Sequence, residues 1–354
     1  MAEQSPPVTS SVNLRCRYFV FAKGRDKPVE WRPPDWDESL PVDCRYFGLA
    51  LAEMDRIIAE RGASSPLHVY VTWDWRELPE YGNHVVVLLL GEELGLVPRY
   101  VRHVHAVFKT MRLRPTFGSS WRGLGWLEVL LYMKLARNWL RHLQSRWKAW
   151  LVPRHWPAQL RKTIEVLDVP LGYYRQVAVP QLTMSQRPFH CFFAGEMVAP
   201  ASTLAHHFLP TPKQFARRKM LLMIHKLRQR EPRFRYDGGD FGGSALSPDE
   251  YSRRLMNSKI CLAPRGSVPD TFRFFEGLRA GCLVVCEKLT SEWFYAGAPV
   301  IQLADWNAFP RLLAPYLEDD EALEQARSRS LEWWEKNCSE TAVGRAMADY
   351  LIKR

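Results

Sequence analysis

The sequence predicts an α/β fold long enough for two domains, and three observations lead there. The chain has 354 residues, 47% of them apolar, which is enough for two separate cores and too apolar for a disordered chain. Short apolar runs bounded by Gly and Pro alternate along it with stretches of helical periodicity. Residues 259–287, KICLAPRGSVPDTFRFFEGLRAGCLVVCE, hold one complete strand, loop, helix, strand unit.

Within that unit, 259–263 and 282–286 read as buried strands, and the Gly/Pro loop 264–269 leads into a helix over 272–280 that stops at Gly281. Asp270 or Thr271 is placed to cap the helix. In a parallel sheet the loop after the first strand opens at the ligand-binding edge. Arg265 stands at the strand exit and Arg273 in the first helical turn, where free backbone N–H groups also favour negative charge. The pair suits a diphosphate. Glu276 lies three residues beyond Arg273 on the same face, where a carboxylate accepts hydrogen bonds from ribose hydroxyls or simply pairs with Arg273 at the surface.

The segments CLAPRG, TFRFFEGLRAGC and LVV together resemble the donor-sugar motif of the exostosin-like glycosyltransferases. Weaker agreement extends to FHCFFAGEM at 189–197, to the basic helix near Arg217 and Lys219, and to DVPLGYY at 168–174. The resemblance implies a GT-B architecture, two Rossmann-like domains facing a central cleft, with the nucleotide sugar held by the second. It assigns Arg265, Gly266, Thr271, Arg273, Glu276 and Gly195 to the donor. Val284 and Val285 stand where family members often carry Pro. The expected division is an acceptor domain over 1–182 and a nucleotide-sugar domain over 183–329. A closing helix over 330–354 either crosses back to the first domain, as in GT-B enzymes, or packs on its own.

In chain order, 1–13 reads as a loose tail and 14–22 as a first strand. A Pro- and Trp-rich loop follows over 23–44, then a helix over 47–61, and strands over 67–72, 84–90 and 102–110. Asp35-Trp36-Asp37 matches an Asp-x-Asp metal motif in spelling, but lies in the loop and not at a strand end, so no metal is expected. An inverting sugar transfer needs a base for the acceptor hydroxyl, at the carboxyl edge of the first sheet. Glu92 and Glu93 are the first candidates, with Asp74, His103 and His105 behind them; a Gly-Glu-Glu helix start is the plainer reading of the two glutamates.

Segment 121–162 is a basic insertion, with nine Lys and Arg against Glu128 alone, a net +8 of the chain's +11. Val129, Met133, Ala136, Leu140, Leu143, Trp147 and Trp150 recur at helical spacing. Such a helix either packs its stripe on the N-terminal domain, the favoured expectation, or lies on an anionic membrane. Nucleic acid is not expected, because no helix-turn-helix, zinc-finger or RNA-recognition signature accompanies the charge.

In the second domain a strand over 190–194 turns at Gly195, which admits a phosphate or an acceptor close to the backbone or makes a plain tight turn. A basic helix over 213–228 and a strand over 234–236 precede a glycine-rich loop over 237–243, and Ser247-Pro248 starts the next helix. The seven cysteines lack CxxC spacing and four fall in predicted strands, which fits reduced core thiols. Met1 begins a polar segment with no signal-peptide pattern, so a cytoplasmic protein, peripheral on the membrane if the basic helix binds it, is expected.

The resemblance implies a transferase moving a sugar from a UDP- or GDP-sugar to a glycan or lipid-linked acceptor hydroxyl, with inversion and no cofactor. The alternatives are a non-catalytic sugar-nucleotide or polysaccharide binder and, further off, a nucleic-acid-binding protein.

Overall fold

The apolar runs of the first half become β1 (Arg17–Phe21), β2 (Val29–Trp31), β3 (His68–Thr72), β4 (Gly82–Leu89), β5 (Val104–Lys109) and β6 (Leu167–Asp168), side by side in the order β2-β1-β3-β4-β5-β6. The computed structural model describes residues 15–22, 27–33, 44–61, 66–111, 126–151, 156, 163–174, 176–195, 211–240, 246–266, 268–317 and 319–353. β2 runs antiparallel to β1 and every other pairing is parallel. Helix α1 (Cys44–Glu60) covers one face and α2 (Trp126–Lys148) lies between β5 and β6 in the chain. The crossovers over 73–81 and 90–103 contain no helix, so loops line the carboxyl edge of β3 and β4.

The second sheet is wholly parallel, with β7 (Phe189–Gly195), β8 (Tyr236–Asp240), β9 (Ser258–Ala263), β10 (Leu283–Glu287) and β11 (Ile301–Leu303) in the order β11-β10-β9-β7-β8. Helices α3 (Pro212–Arg230), α4 (Pro248–Met256), α5 (Phe272–Arg279) and α6 (Phe309–Leu317) connect or flank its strands. Numbered from β7, this order is a doubly wound 2-1-3-4-5, in which the crossovers leave the first strand in opposite directions. A crevice therefore opens between the carboxyl ends of β7 and β9.

Caps match the residue pattern. Thr211 accepts from the Gln214 N–H in a capping box that starts α3, and Ser247 accepts from the Glu250 N–H at 3.2 Å to start α4. Gly281, at φ +67°, ends the turn after α5 in the left-handed region that glycine favours. Between the sheets the segment 181–187 is pinned by Arg187, whose buried guanidinium donates to the carbonyls of Leu182, Ser258 and Ala280.

Beyond α6 the chain forms α7 (Asp320–Trp333), a π turn over Trp334–Cys338, and α8 (Glu340–Ile352). Helix α8 lies on α1: the Tyr46 hydroxyl donates to the Cys338 carbonyl, Arg61 pairs with Asp349 at 2.7 Å, and Gly344 sits against the Ala50 carbonyl where no side chain would fit. The Tyr173 hydroxyl donates to Glu340 at 2.7 Å. One apolar cluster runs from Tyr46, Leu51 and Val69 through Met347 and Trp334 to Phe274 and Val284, so it joins both sheets. Two α/β sheets, parallel except at β2, share one core, as expected of two Rossmann-like domains packed together.

Two expectations are corrected. The glycine-rich loop over 237–243 is strand as far as Asp240, and a Cβ at Gly238 would collide with the Phe193 carbonyl, so glycine there lets β8 close on β7. Residues 241–245 lie outside the described set. The apolar stripe of α2 does not pack on the first domain. His142, Ser145 and Ala149 face inward instead, with the Val97 N–H donating to Ser145 Oγ at 2.9 Å. Met133, Leu140, Leu143 and Trp147 are exposed, Trp147 by 69%.

Cys191, Cys261, Cys282 and Cys286 are buried free thiols whose pKa values burial raises, which makes them poor nucleophiles. Among the described residues no helix is long and apolar enough to cross a membrane.

Candidate active site

Three predicted donor residues lie at the carboxyl edge of the second sheet because adjacent strands deliver them, and two of them, Gly195 and Arg273, touch. Gly195 ends β7, Arg265 follows the neighbouring β9, and Arg273 opens α5. The Arg273 guanidinium donates through Nε to the Ala194 carbonyl and through Nη1 to Thr271 Oγ1 at 3.4 Å, and lies 5.0 Å from the Phe193 ring centroid. A Cβ at position 195 would stand 3.0 Å from Arg273 Cζ and closer still to Nη2. Glycine here clears room for the guanidinium itself. Thr271 occupies the N-cap position of α5 without a capping bond, its hydroxyl being engaged by Arg273.

Arg265 is deeper, 2% exposed, with Nε directed to the Gly266 carbonyl at 3.4 Å. Its charge offsets the burial that raises the Glu287 pKa, and Glu287 in turn accepts from Trp306 Nε1 at 3.0 Å. A Cβ at Gly266 would meet only the Val268 and Asp270 carbonyls at 3.6 Å, so the loop is open at that point.

Glu276 faces the interface between the halves. Its Oε1 accepts from the Tyr174 N–H at 3.1 Å and its Oε2 from the Tyr251 hydroxyl at 2.5 Å, with the carboxylate almost fully buried. Burial first, and then the neighbouring Glu276 charge, lift the Tyr251 pKa well above the usual phenol range.

Arg217 and Phe193 join this site without having been singled out together from the sequence. The Arg217 guanidinium lies 5.5 Å from the Phe193 centroid, so two arginines from different helices flank one ring. The signal was present in FHCFFAG, but apolar strand residues read as core. Lys219 pairs with Asp305 at 2.6 Å.

The first sheet presents Lys109 at the end of β5. Its ammonium is fully buried, 3.1 Å from Glu92 Oε2, and donates to the Glu92 carbonyl at 3.0 Å. Burial lowers the Lys109 pKa, and Glu92, Asp168 and Asp270 oppose that shift. Asp270 immediately precedes α5, so the carboxyl edges of the two sheets face each other here. A lysine closing the apolar run VHAVFK was the sequence sign of this contact.

The base candidates are placed differently from one another. Glu92 is buried and accepts from the N–H groups of Leu94 and Leu96 at 2.8 and 2.6 Å, so it orders the loop after β4. Glu93 beside it is exposed and makes no hydrogen bond or ion pair among the described residues. Asp74 accepts from the Arg76 N–H at 2.7 Å in the loop after β3. His105 is the second residue of β5, at the opposite edge of the sheet, 3.2 Å from Asn83 Oδ1. His103 is buried against Trp156. Asp35 and Asp37 lie outside the described residues.

No protein-family model matches the chain. A stretch of 59 residues is 41% identical to the Exostosin-1 homolog of Caenorhabditis elegans, covering 17% of this chain and 14% of that protein. That stretch is exostosin-like. A 58-residue match to Exostosin-1b of Danio rerio is 40% identical and covers 16% of this chain and 7% of the zebrafish protein. The exostosin-like match is thus a small part of each relative. Among solved structures, sucrose-phosphate synthase from Thermosynechococcus elongatus aligns over 88% of this chain and 78% of its own at 11% identity and a TM-score of 0.40. The pneumococcal O-GlcNAc transferase GtfA, in complex with UDP and GlcNAc, aligns over 85% of this chain and 59% of its own at 10% identity and a TM-score of 0.35.

Proposed function

We propose that this chain is a glycosyltransferase that moves a sugar from a nucleotide diphosphate sugar, a UDP- or GDP-sugar, to a hydroxyl of a glycan or lipid-linked glycan. The supporting observation is Arg273 at the start of α5, held against Ala194 and Gly195 at the crevice between β7 and β9, with Arg265 following the end of β9. In an inverting transfer the acceptor oxygen attacks the anomeric carbon opposite the diphosphate, a base takes its proton, and the breaking bond leaves its electron pair on the diphosphate. Arg273 contacts that developing charge, Arg265 supports it from behind, and together they do the electrostatic work that a divalent cation does elsewhere. Glu93 is the base, since its neighbour Glu92 is occupied with Lys109 and the loop.

Calorimetric titration of UDP and GDP, followed by transfer assays with the sugar nucleotide that binds, tests this reading. Binding and turnover that fall together in Arg273→Ala support it. Nucleotide binding that is unchanged in that variant overturns the site, and donor binding without transfer or donor hydrolysis makes the chain a binder and not an enzyme.

The same reading sets the protein on the cytoplasmic face of a membrane through α2, whose outer side combines Leu140, Leu143 and Trp147 with Arg137, all exposed. Flotation with phosphatidylglycerol vesicles, weakened by Trp147→Ser and by salt, is the expected result. Equal recovery with and without vesicles counts against it.

A further inference from the structure

A cavity of about 590 Å³ lies apart from the arginine site, between the loops that follow β3 and β4 and the inward side of α2. Its charged lining is Arg76, Arg99, Arg141 and Lys148, and no carboxylate lines it. Among the described residues none of these four forms an ion pair, and Nε of Arg99 is buried with no hydrogen-bond acceptor. Four cations around one cavity repel one another, and a buried guanidinium N–H without an acceptor costs free energy that a bound anion would restore.

The walls are held by the fold. Glu92 clamps the N–H groups of Leu94 and Leu96. Ser145 accepts from Val97, and the Arg99 N–H donates to the Trp75 carbonyl at 2.9 Å. The guanidinium of Arg76 lies over Trp75 at 5.4 Å and that of Arg99 over Trp156 at 5.9 Å. Three guanidinium forks and an ammonium in this volume match a compact group with several negative oxygens, which is the chemistry of a pyrophosphate. The helix that supplies Arg141 and Lys148 also exposes Leu140, Leu143 and Trp147, so an apolar tail attached to such a group has a surface to follow.

We propose that this cavity binds the pyrophosphate group of an amphiphilic acceptor whose apolar tail runs along α2. The proposal rests on the transferase reading for the word acceptor, while the binding site itself stands on the cavity alone. Glu93 directly precedes Leu94 of the lining, which sets the proposed base at the rim of the acceptor site.

The test is calorimetric titration of inorganic pyrophosphate and of farnesyl pyrophosphate into the full chain in the Arg273→Ala background, which disables the donor site. Binding of both probes is expected, weakened about tenfold or more by Arg141→Gln with Lys148→Gln, two exposed positions where the fold tolerates change. Tighter binding of farnesyl pyrophosphate, lost in Leu143→Ser with Trp147→Ser, supports the tail path, and equal affinity for the two probes overturns it. Failure of both probes to bind, or binding indifferent to Arg141→Gln with Lys148→Gln, overturns the cavity. If only phosphatidylglycerol vesicles bind, the charges serve a bilayer contact and the pyrophosphate site is overturned. Titration of UDP and GDP into the unsubstituted chain separates failure here from failure of the donor site.

Discussion

Gly195 at the end of β7 and Arg273 at the start of α5 share one space: the guanidinium occupies the volume that any side chain at 195 would need. Gly195→Ala is therefore expected to push Arg273 off the Ala194 carbonyl and weaken nucleotide diphosphate binding by about tenfold, a loss of the size of one charge-assisted hydrogen bond. Titration of the variant beside Arg273→Ala checks this. Full affinity in Gly195→Ala means that Arg273 reaches the ligand from some other position.

Glu92 and Glu93 are adjacent in sequence, one buried and one exposed. Replacing Glu92 by Ala leaves the buried Lys109 ammonium without the carboxylate 3.1 Å from it and two loop N–H groups without acceptors, and should lower the unfolding free energy by about 3 kcal/mol. Glu93→Gln should leave stability unchanged and abolish transfer while nucleotide still binds. Urea unfolding and a turnover assay on both variants separate the roles, and full turnover in Glu93→Gln removes it as the base.

Glu276 ties Tyr174 in the first half to Tyr251 in the second. Glu276→Ala is expected to cost about 2 kcal/mol of stability by stranding buried donors, and to reduce discrimination between ribo- and deoxyribonucleotides. Equal discrimination before and after the change means that the carboxylate serves the fold alone.

Glu80 sits between two imidazoles, accepting at 2.7 Å from His68 Nδ1, at 2.6 Å from His84 Nε2 and at 2.9 Å from the Tyr70 hydroxyl. Burial raises its pKa, and the three hydrogen bonds outweigh that and bring it down to about 2. A carboxylate whose folded value lies below its unfolded one stabilises the fold above the unfolded value, and that contribution disappears as pH falls through the folded value. Melting temperature should therefore fall between about pH 4.5 and pH 2, and the Glu80→Gln chain should start lower at neutral pH and lose less across that window. An identical acid limb in both chains removes Glu80 from the account.

Much of the second sheet was legible because its signals are local. Ser247, the Gly281 stop and the apolar runs 259–263 and 282–286 each carry their own punctuation, and they fall where the structure has a cap, a turn and two strands. The stretch 237–240 misled because glycine marks loops in a single sequence, whereas Gly238 is required by the carbonyl of a strand forty-five residues earlier in the chain. The α2 stripe misled in the opposite way. Periodicity shows which residues share a face, and only the partner surface, here the Gly95 to Val97 loop meeting His142 and Ser145, decides which face turns inward. The pairing of Lys109 with Glu92 and the two arginines on Phe193 depend on strand neighbours, and no spacing along the chain encodes those.

The docking of α8 on α1 has a mechanical consequence. The polypeptide passes between the halves twice, once near 174–187 and once near 334–339, and each passage is fastened by buried hydrogen bonds at Arg187 and at Tyr46. Moving the halves apart at α8 would have to break the Tyr46, Arg61 and Tyr173 contacts together.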